Sequence, residues 1–161
     1  MHNQSHANKH ENHYRHLLIM AVLSFIAMYI LMYAMVNVFG NVYNNLNQFY
    51  MAGLMTAPMV LIELVVMRAM YQDKSRNALI IVGSVIAALI FFLLIRQQTA
   101  ISDRQFLRSM IPHHAGAILM CEQAPISDPD IKGLCQSIIA SQQAEIDQMS
   151  AKLLELEKIS R

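Results

Sequence analysis

The chain has 161 residues, of which 55% are hydrophobic and 14% are charged, and its formal net charge is +1. An average soluble domain carries about 25% charged residues, so the charged fraction of this chain is well below that of an average soluble domain. Because affinity for nucleic acid depends on neutralising phosphates and the chain has no basic block, we expect no nucleic-acid partner. The Walker, GxGxxG, GxSxG and HExxH motifs are also missing, so the common nucleotide-binding and hydrolase signatures do not apply.

The first segment, residues 1–16, is polar and rich in histidine. We expect a tail without regular structure, and the alternative is a weak metal-collecting tail, because His-rich tracts bind metals. The histidines recur about every four residues, a spacing that would align them on one face of a helix. They are His2, His6, His10, His13 and His16.

Three apolar segments follow, at residues 17–39, 49–70 and 78–95. Crossing a bilayer takes about 20 apolar residues, so these segments predict three transmembrane helices within a domain of residues 17–96. The lipid bilayer is therefore an expected partner. The first segment is too long for the core of a signal peptide, and we expect it to remain as an uncleaved span.

The distribution of Lys and Arg predicts the orientation. The tail contains Lys9 and Arg15, the loop after the first span contains neither residue type, and the region of the second loop contains three basic residues. The positive-inside rule then places the tail and the second loop in the cytoplasm. For a bacterial host, the prediction is an inner-membrane protein with a cytoplasmic N-terminus and residues 97–161 in the periplasm.

One acidic residue, Glu63, lies near the middle of the second predicted span. A carboxylate there is costly and usually faces a polar interior or another subunit. We expect Glu63 to be neutral or paired with Arg68. Methionines recur along the first two spans; they predict packing or lipid-facing residues, and a thioether path for Cu(I) is the alternative.

Two helices joined by a short turn are predicted in residues 97–161. Ser102 fits the N-cap of a helix over 103–124, and Asp128, followed by proline, fits the N-cap of a helix over 129–158. A turn this short makes the pair an antiparallel hairpin. A proline within the first of these helices predicts a bend.

Pairing the two helices about their turn brings Cys121 level with Cys135 and His114 level with Gln142. The cysteine pair predicts a disulfide in an oxidising compartment, with a thiolate metal site or two free thiols as alternatives. A two-helix hairpin has too little core to be stable alone. We therefore expect a homodimer or higher homo-oligomer that completes a four-helix bundle, with packing on the membrane domain as the alternative.

Adjacent histidines with a methionine on either side mark the first helix of the hairpin. Positions three, four and seven apart share a helix face, so Met110, His113, His114 and Cys121 form one stripe with Met120 at its edge. Imidazole, thioether and thiol groups favour copper, as Cu(I) or Cu(II). Iron is less favoured because a di-iron site needs about four carboxylates and ExxH pairs, and zinc is also less favoured.

The candidate ligands fall into two ranks, and one further residue would orient an imidazole. The first rank is Met110, His113, His114 and Met120, the second is Glu145 and Met149, and the orienting residue is Gln142. Neighbouring helix positions point about 100° apart, so the histidines need not share one ion. The alternative is that one histidine joins a polar network with Gln142 or Glu145 while the other faces water.

The two helices resemble family three-hundred-and-five of the domains of unknown function, which includes periplasmic copper-binding proteins. The resemblance covers about residues 102–154 and rests on DxxFLxxMIPHHxxAIxM from Asp103 and IIxxQxxEIxxM from Ile138. It implies a ferritin-like four-helix bundle built from two such hairpins, with His and Met as metal ligands, and a link to copper binding and tolerance. This chain departs from the pattern in having one hairpin, three preceding spans and a cysteine pair.

Together, these features predict an all-α, membrane-anchored periplasmic protein that binds copper in metal homeostasis or tolerance and is not an enzyme. One alternative is a metal-dependent oxidoreductase, for example a cuprous oxidase. Another is a metal transport component that uses Glu63 and the intramembrane methionines, and a third is a structural module whose histidines only pair helices. A metal-handling partner protein fits the first prediction, but no residue identifies it.

Overall fold

A computed structural model describes residues 2–159 of the chain, with side chains from residue 12 onward. Within that range the chain is all-helical and has no β-strand, which confirms the predicted all-α class. The helices are α1 His2–Leu31, α2 Leu46–Val66, α3 Lys74–Gln97, α4 Asp103–Gln123 and α5 Pro129–Ile159, with short 3₁₀ helices at Met32–Met35 and Phe39–Asn41.

The helices group into two compact units. The first, the span unit, contains the chain up to Leu31 together with Phe49–Thr99. The second, the hairpin unit, contains Met32–Gln48 together with the chain from Ala100 onward. The sequence-based division assigned the loop after the first span to the membrane domain, whereas this loop packs with α4 and α5.

Among the described residues, three helical segments are long and apolar enough to cross a membrane, as predicted. They are Asn12–Met35, Leu46–Val66 and Lys74–Gln97, with mean hydropathies of 2.4, 1.8 and 3.1. Side-chain caps fix where two of them begin. Asn45 Oδ1 accepts a hydrogen bond from the backbone N–H of Gln48 at 2.9 Å, and Asp73 caps α3 in the same way. These caps start α2 and α3 a few residues before the predicted positions.

The polar tail is helical, contrary to the expected irregular structure, because α1 extends back to His2. No glycine or proline occurs from His2 to Leu31. The sequence therefore contains no helix breaker between the polar tail and the start of the apolar segment. The side chains of the first three tail histidines lie outside the described residues. His13 is half-buried and His16 is exposed.

The predicted hairpin is present, and its helices begin at the predicted caps. Ser102 accepts a hydrogen bond from the backbone N–H of Gln105 at the start of α4. Asp128 Oδ1 accepts hydrogen bonds from the backbone N–H groups of Asp130 at 2.9 Å and Ile131 at 3.1 Å. The α4 helix continues through its internal proline to Gln123.

The core of the hairpin unit lies between α4 and α5 and is completed by the first loop. Its buried members are Ile111, Ala115, Ile118, Ile146 and Leu153. Two residues of the loop, Val36 and Tyr43, pack against this cluster. The loop therefore supplies part of the apolar cover that two helices alone cannot provide.

We call Met32–Gln48 the loop strap; it runs from the end of the first candidate span into the first turn of α2 and is also tied to α4 by hydrogen bonds. The backbone N–H of Leu46 donates to Gln105 Oε1 at 2.9 Å. The Asn47 side-chain amide donates to Ser109 Oγ at 3.2 Å. Gln105 and Ser109 are one turn apart, so the strap is fixed along one face of α4.

Candidate metal site on the hairpin

His114 is the buried histidine of the pair, with 9% of its side chain exposed. Its Nδ1 lies 2.9 Å from the carbonyl oxygen of Met110, one turn earlier in α4. Its Nε2 lies 2.6 Å from Glu145 Oε2, across the hairpin on α5. Both ring nitrogens are therefore engaged by groups of defined position.

The partners of His114 determine where its protons lie. A carbonyl oxygen only accepts hydrogen bonds, so Nδ1 carries a proton and donates a hydrogen bond to the carbonyl oxygen of Met110. The short contact between Nε2 and Glu145 requires one more proton, which belongs either to an imidazolium or to a protonated carboxyl group. A metal ion bound to Nε2 would take the place of this proton, because a histidine ligand must be unprotonated at the binding nitrogen.

The orientation of His114 fits that of a metal ligand. Histidines that bind metals usually donate their other ring N–H to a carbonyl or carboxylate, which fixes the tautomer and the ring position. The Met110 carbonyl does this for His114 and leaves Nε2 directed between the helices. The Met110 carbonyl therefore holds the His114 ring, and an orienting role for Gln142 stays a prediction.

The predicted register placed His114 level with Gln142. The imidazole instead contacts Glu145, about one turn further along α5. Helical side chains lean toward the N-terminus of their own helix. In an antiparallel pair, His114 therefore leans away from the turn, while Glu145 leans toward it. The two side chains meet although their backbone positions are not level. Arg108 meets Glu157 at 2.7 Å further from the turn; this contact is displaced in the same direction, but by more than two turns.

His113 is exposed and lies on a different face of α4. The centres of the His113 and His114 rings are 6.1 Å apart, and their planes meet at 65°. This divergence follows from the rotation of about 100° between neighbouring helix positions. A buried histidine bound to Glu145 beside an exposed one is also the arrangement that the polar-network alternative predicted.

The methionines predicted as ligands lie in three different surroundings. Met110 is half-buried and engages His114 through its backbone carbonyl. Met120 is 55% exposed, and Met149 packs against the hydrophobic core. Among the described residues, no group of three or more His, Cys, Asp or Glu side chains is placed to hold a metal ion. A metal site here would need thioether ligands or donors from a second copy.

Cys121 and Cys135 form a disulfide near the turn, with their Cα atoms 5.2 Å apart. The pairing agrees with the predicted register at this end of the hairpin. With the bond formed, neither thiol is available as a metal ligand.

Glu63, in the second candidate span, has a partner other than the expected Arg68. The Tyr71 hydroxyl donates to Glu63 Oε1 at 3.4 Å, whereas Arg68 is exposed. The α2 helix ends at Val66, and the turn that follows brings Tyr71 back to it. Burial, followed by the nearby Glu63 carboxylate, raises the pKa of Tyr71 above its ordinary value.

The contact between the loop strap and α4 was not predicted from the sequence. A Cβ atom on Gly116 would lie 3.4 Å from the Met35 carbonyl oxygen and 3.8 Å from Met35 Cβ. The available signal was the run of small residues from Ala115 to Ala117, which permits a close backbone approach.

The structure thus defines a chain with three candidate membrane spans and a disulfide-linked helical hairpin that carries a histidine–glutamate pair. The family described as "Domain of unknown function (DUF305)" matches residues 93–153, which include α4 and most of α5. "Uncharacterized protein L153" of Acanthamoeba polyphaga mimivirus is 38% identical to this chain over 110 residues, which are 67% of this chain and 70% of the viral protein.

The chain belongs to the family of this viral protein and contains the domain of unknown function in its hairpin. The expected membership of a domain-of-unknown-function family is confirmed, whereas the ferritin-like relationship stays a prediction. No solved structure matches the chain.

Proposed function

We propose that the chain is a membrane-anchored copper-binding protein that acts in metal homeostasis or tolerance. The observation that carries this proposal is the buried His114, whose Nδ1 is fixed by the Met110 carbonyl while Nε2 is directed toward Glu145 across the hairpin. In this proposal His114 binds copper through Nε2, and His113 and methionine sulfurs are further copper ligands elsewhere on the hairpin.

The donor types support copper over the alternatives. Imidazole and thioether groups suit copper, whereas a ferritin-like di-iron site needs about four carboxylates. Within the described residues, Glu145 is the carboxylate bonded to His114. The copper ion would be bound cargo, so the proposal assigns no catalytic step to these residues.

A second copy of the chain is part of the proposal. Residues of both hairpin helices expose large apolar side chains, some of which a second copy of the chain would cover. They are Phe106, Met120, Ile131, Leu134 and Leu154. Pairing two hairpins would give a four-helix bundle and bring further donors to each site.

The proposed location is the inner membrane of a bacterial host, with the hairpin in the periplasm. Two candidate spans separate the loop strap from the hairpin. If both helices cross the membrane, the strap and the hairpin lie on the same side of it. Their packing within one unit supports this arrangement. The disulfide is typical of an oxidising compartment.

The test is the Cu(I) affinity of the full chain in detergent micelles, measured by competition with a chromophoric chelator. We expect binding to be lost in His113→Ala/His114→Ala and retained in the tail variant His13→Ala/His16→Ala, which removes the same number of imidazoles. A wild-type chain that does not bind, or a folded hairpin variant that binds as tightly as wild type, would overturn the proposal.

A further inference from the structure

The loop strap meets α4 at a point flanked by exposed soft donors. At Gly116 the backbone of Met35 lies within van der Waals distance of where a side chain would begin. His113 is three residues before Gly116, and Met120 is four residues after it, so all three positions share one face of α4. We propose that Met35 joins His113 and Met120 in a Cu(I) site between the loop strap and this face.

The distances place Met35 within reach of both partners. Met35 Cβ lies 3.8 Å from the Cβ position of Gly116. Helix positions three or four apart have Cβ atoms about 5–6 Å apart, so Met35 starts about one turn from His113 and from Met120. A methionine sulfur lies two bonds beyond Cβ on a flexible chain. Because helical side chains lean toward the N-terminus of their helix, Met120 leans toward Gly116, whereas His113 leans away from it and has to be reached by the flexible Met35 side chain.

The side chains of Met35 and Met120 are exposed and are not part of the hydrophobic core. Met35 is 50% exposed and Met120 is 55% exposed, whereas the next strap residue, Val36, packs against the core of the hairpin. Val36 therefore anchors the strap, and the side chain of Met35 is left for another role. Two thioethers and one imidazole form a soft donor set that suits Cu(I) and lacks the oxygen ligands preferred by hard cations.

This inference rests on the proposed function and adds a ligand from a segment outside the matched domain of residues 93–153. It also assigns the two histidines to different places: His113 faces the strap, and His114 faces Glu145. The loop strap then has a chemical role besides covering the core.

The experiment compares Cu(I) affinities of the full chain in detergent micelles. Met35→Leu keeps the size of the side chain and removes its sulfur. We expect it to weaken Cu(I) binding by about tenfold or more, since even groups around the ligands of a metal contribute that much. The matched control is Met51→Leu, which removes a methionine of similar exposure, 41%, from α2. We expect this control to bind as wild type does.

A second variant tests the geometry. Gly116→Val places a branched side chain against Met35 and should displace the strap from α4. We expect it to weaken Cu(I) binding about as much as Met35→Leu, with no further loss when the two are combined. Gly133→Val in α5 is the control, because a Cβ there meets nothing within 4 Å. Helical circular dichroism verifies that each variant is folded.

The outcomes separate this inference from the proposed function. If the wild-type chain binds no Cu(I), both are overturned. If binding depends on the histidine pair but Met35→Leu and Gly116→Val match wild type, only the role of Met35 is overturned. Weakening in both variants with unchanged controls supports the three-residue site.

Discussion

Glu145 Oε2 lies 2.6 Å from Nε2 of His114, although the Glu145 side chain is 52% exposed and that of His114 only 9%. One partner thus remains in contact with solvent while the other is enclosed between the helices. The exposed carboxylate therefore connects the buried imidazole with the solvent. This asymmetry also makes the two residues unequal in their effects on stability.

Replacing Glu145 should destabilise the hairpin more than replacing a surface glutamate. In Glu145→Ala the buried Nε2 of His114 loses its partner, which costs about 1–3 kcal/mol in the free energy of unfolding. Glu155 pairs with Lys152 on the exposed side of α5, so Glu155→Ala should cost less than about 1 kcal/mol. Denaturant unfolding in micelles, followed by circular dichroism, measures both. Equal losses would mean that the His114–Glu145 contact contributes nothing specific.

The disulfide should stabilise the hairpin without being needed for its helices. It joins residues 14 positions apart, and closing a loop of this size stabilises a fold by about 3 kcal/mol. Cys121→Ala/Cys135→Ala should therefore unfold at lower denaturant concentration with unchanged helical content in buffer. A reductant should shift the wild type toward the double variant and leave the variant itself unaffected. A wild type insensitive to the reductant would contradict this role.

Membrane topology can be measured with single cysteines in the Cys121→Ala/Cys135→Ala background. Gly40→Cys lies in the loop strap, Asp147→Cys in α5, and Ser75→Cys at the start of α3. Because the strap packs with the hairpin, an impermeant maleimide should label the first two from the same side and Ser75→Cys from the other. Labelling of Gly40→Cys and Asp147→Cys from opposite sides would exclude three crossings.

The raised pKa of Tyr71 predicts a loss of stability in alkali. A tyrosine ordinarily ionises near 10.0, and burial, followed by the Glu63 carboxylate, raises the pKa in the folded chain. A higher pKa in the folded state means that folding favours the protonated phenol. Its contribution is therefore complete below about pH 10 and is lost as the pH rises through the folded-state pKa.

Tyr71→Phe cannot ionise, so its free energy of unfolding should fall less steeply above pH 10 than that of the wild type. Tyr43→Phe, in the hairpin unit, should leave the Tyr71 contribution in place and serves as the control. Unfolding as a function of pH, together with phenolate absorbance, measures the difference. Identical alkaline profiles for Tyr71→Phe and wild type would contradict the assignment.

Local signals predicted most of the architecture. The three candidate spans follow from apolar length, and the starts of α4 and α5 follow from Ser102 and Asp128, because caps act within one turn. The cysteine pairing followed from symmetry about a short turn. In each case the deciding residues are close in sequence or related by a fixed helical period.

Contacts without a period could not be predicted in the same way. The partner of His114 differed by one turn, since the lean of helical side chains adds an offset that backbone register does not contain. The loop strap meets α4 from residues about sixty positions away. Nothing in the sequence of the strap identifies Gln105, Ser109 or Gly116 as the positions that it contacts.

X-ray absorption at the copper edge of the Cu(I)-loaded full chain is the most direct test of a hairpin that binds copper through histidine. For the wild type we predict sulfur scattering together with the outer-shell scattering of imidazole. His113→Ala/His114→Ala should lose the imidazole signal or the bound copper itself, whereas His13→Ala/His16→Ala should retain both. An all-sulfur spectrum in the wild type, or an unchanged imidazole signal in the hairpin variant, would show that copper is held elsewhere.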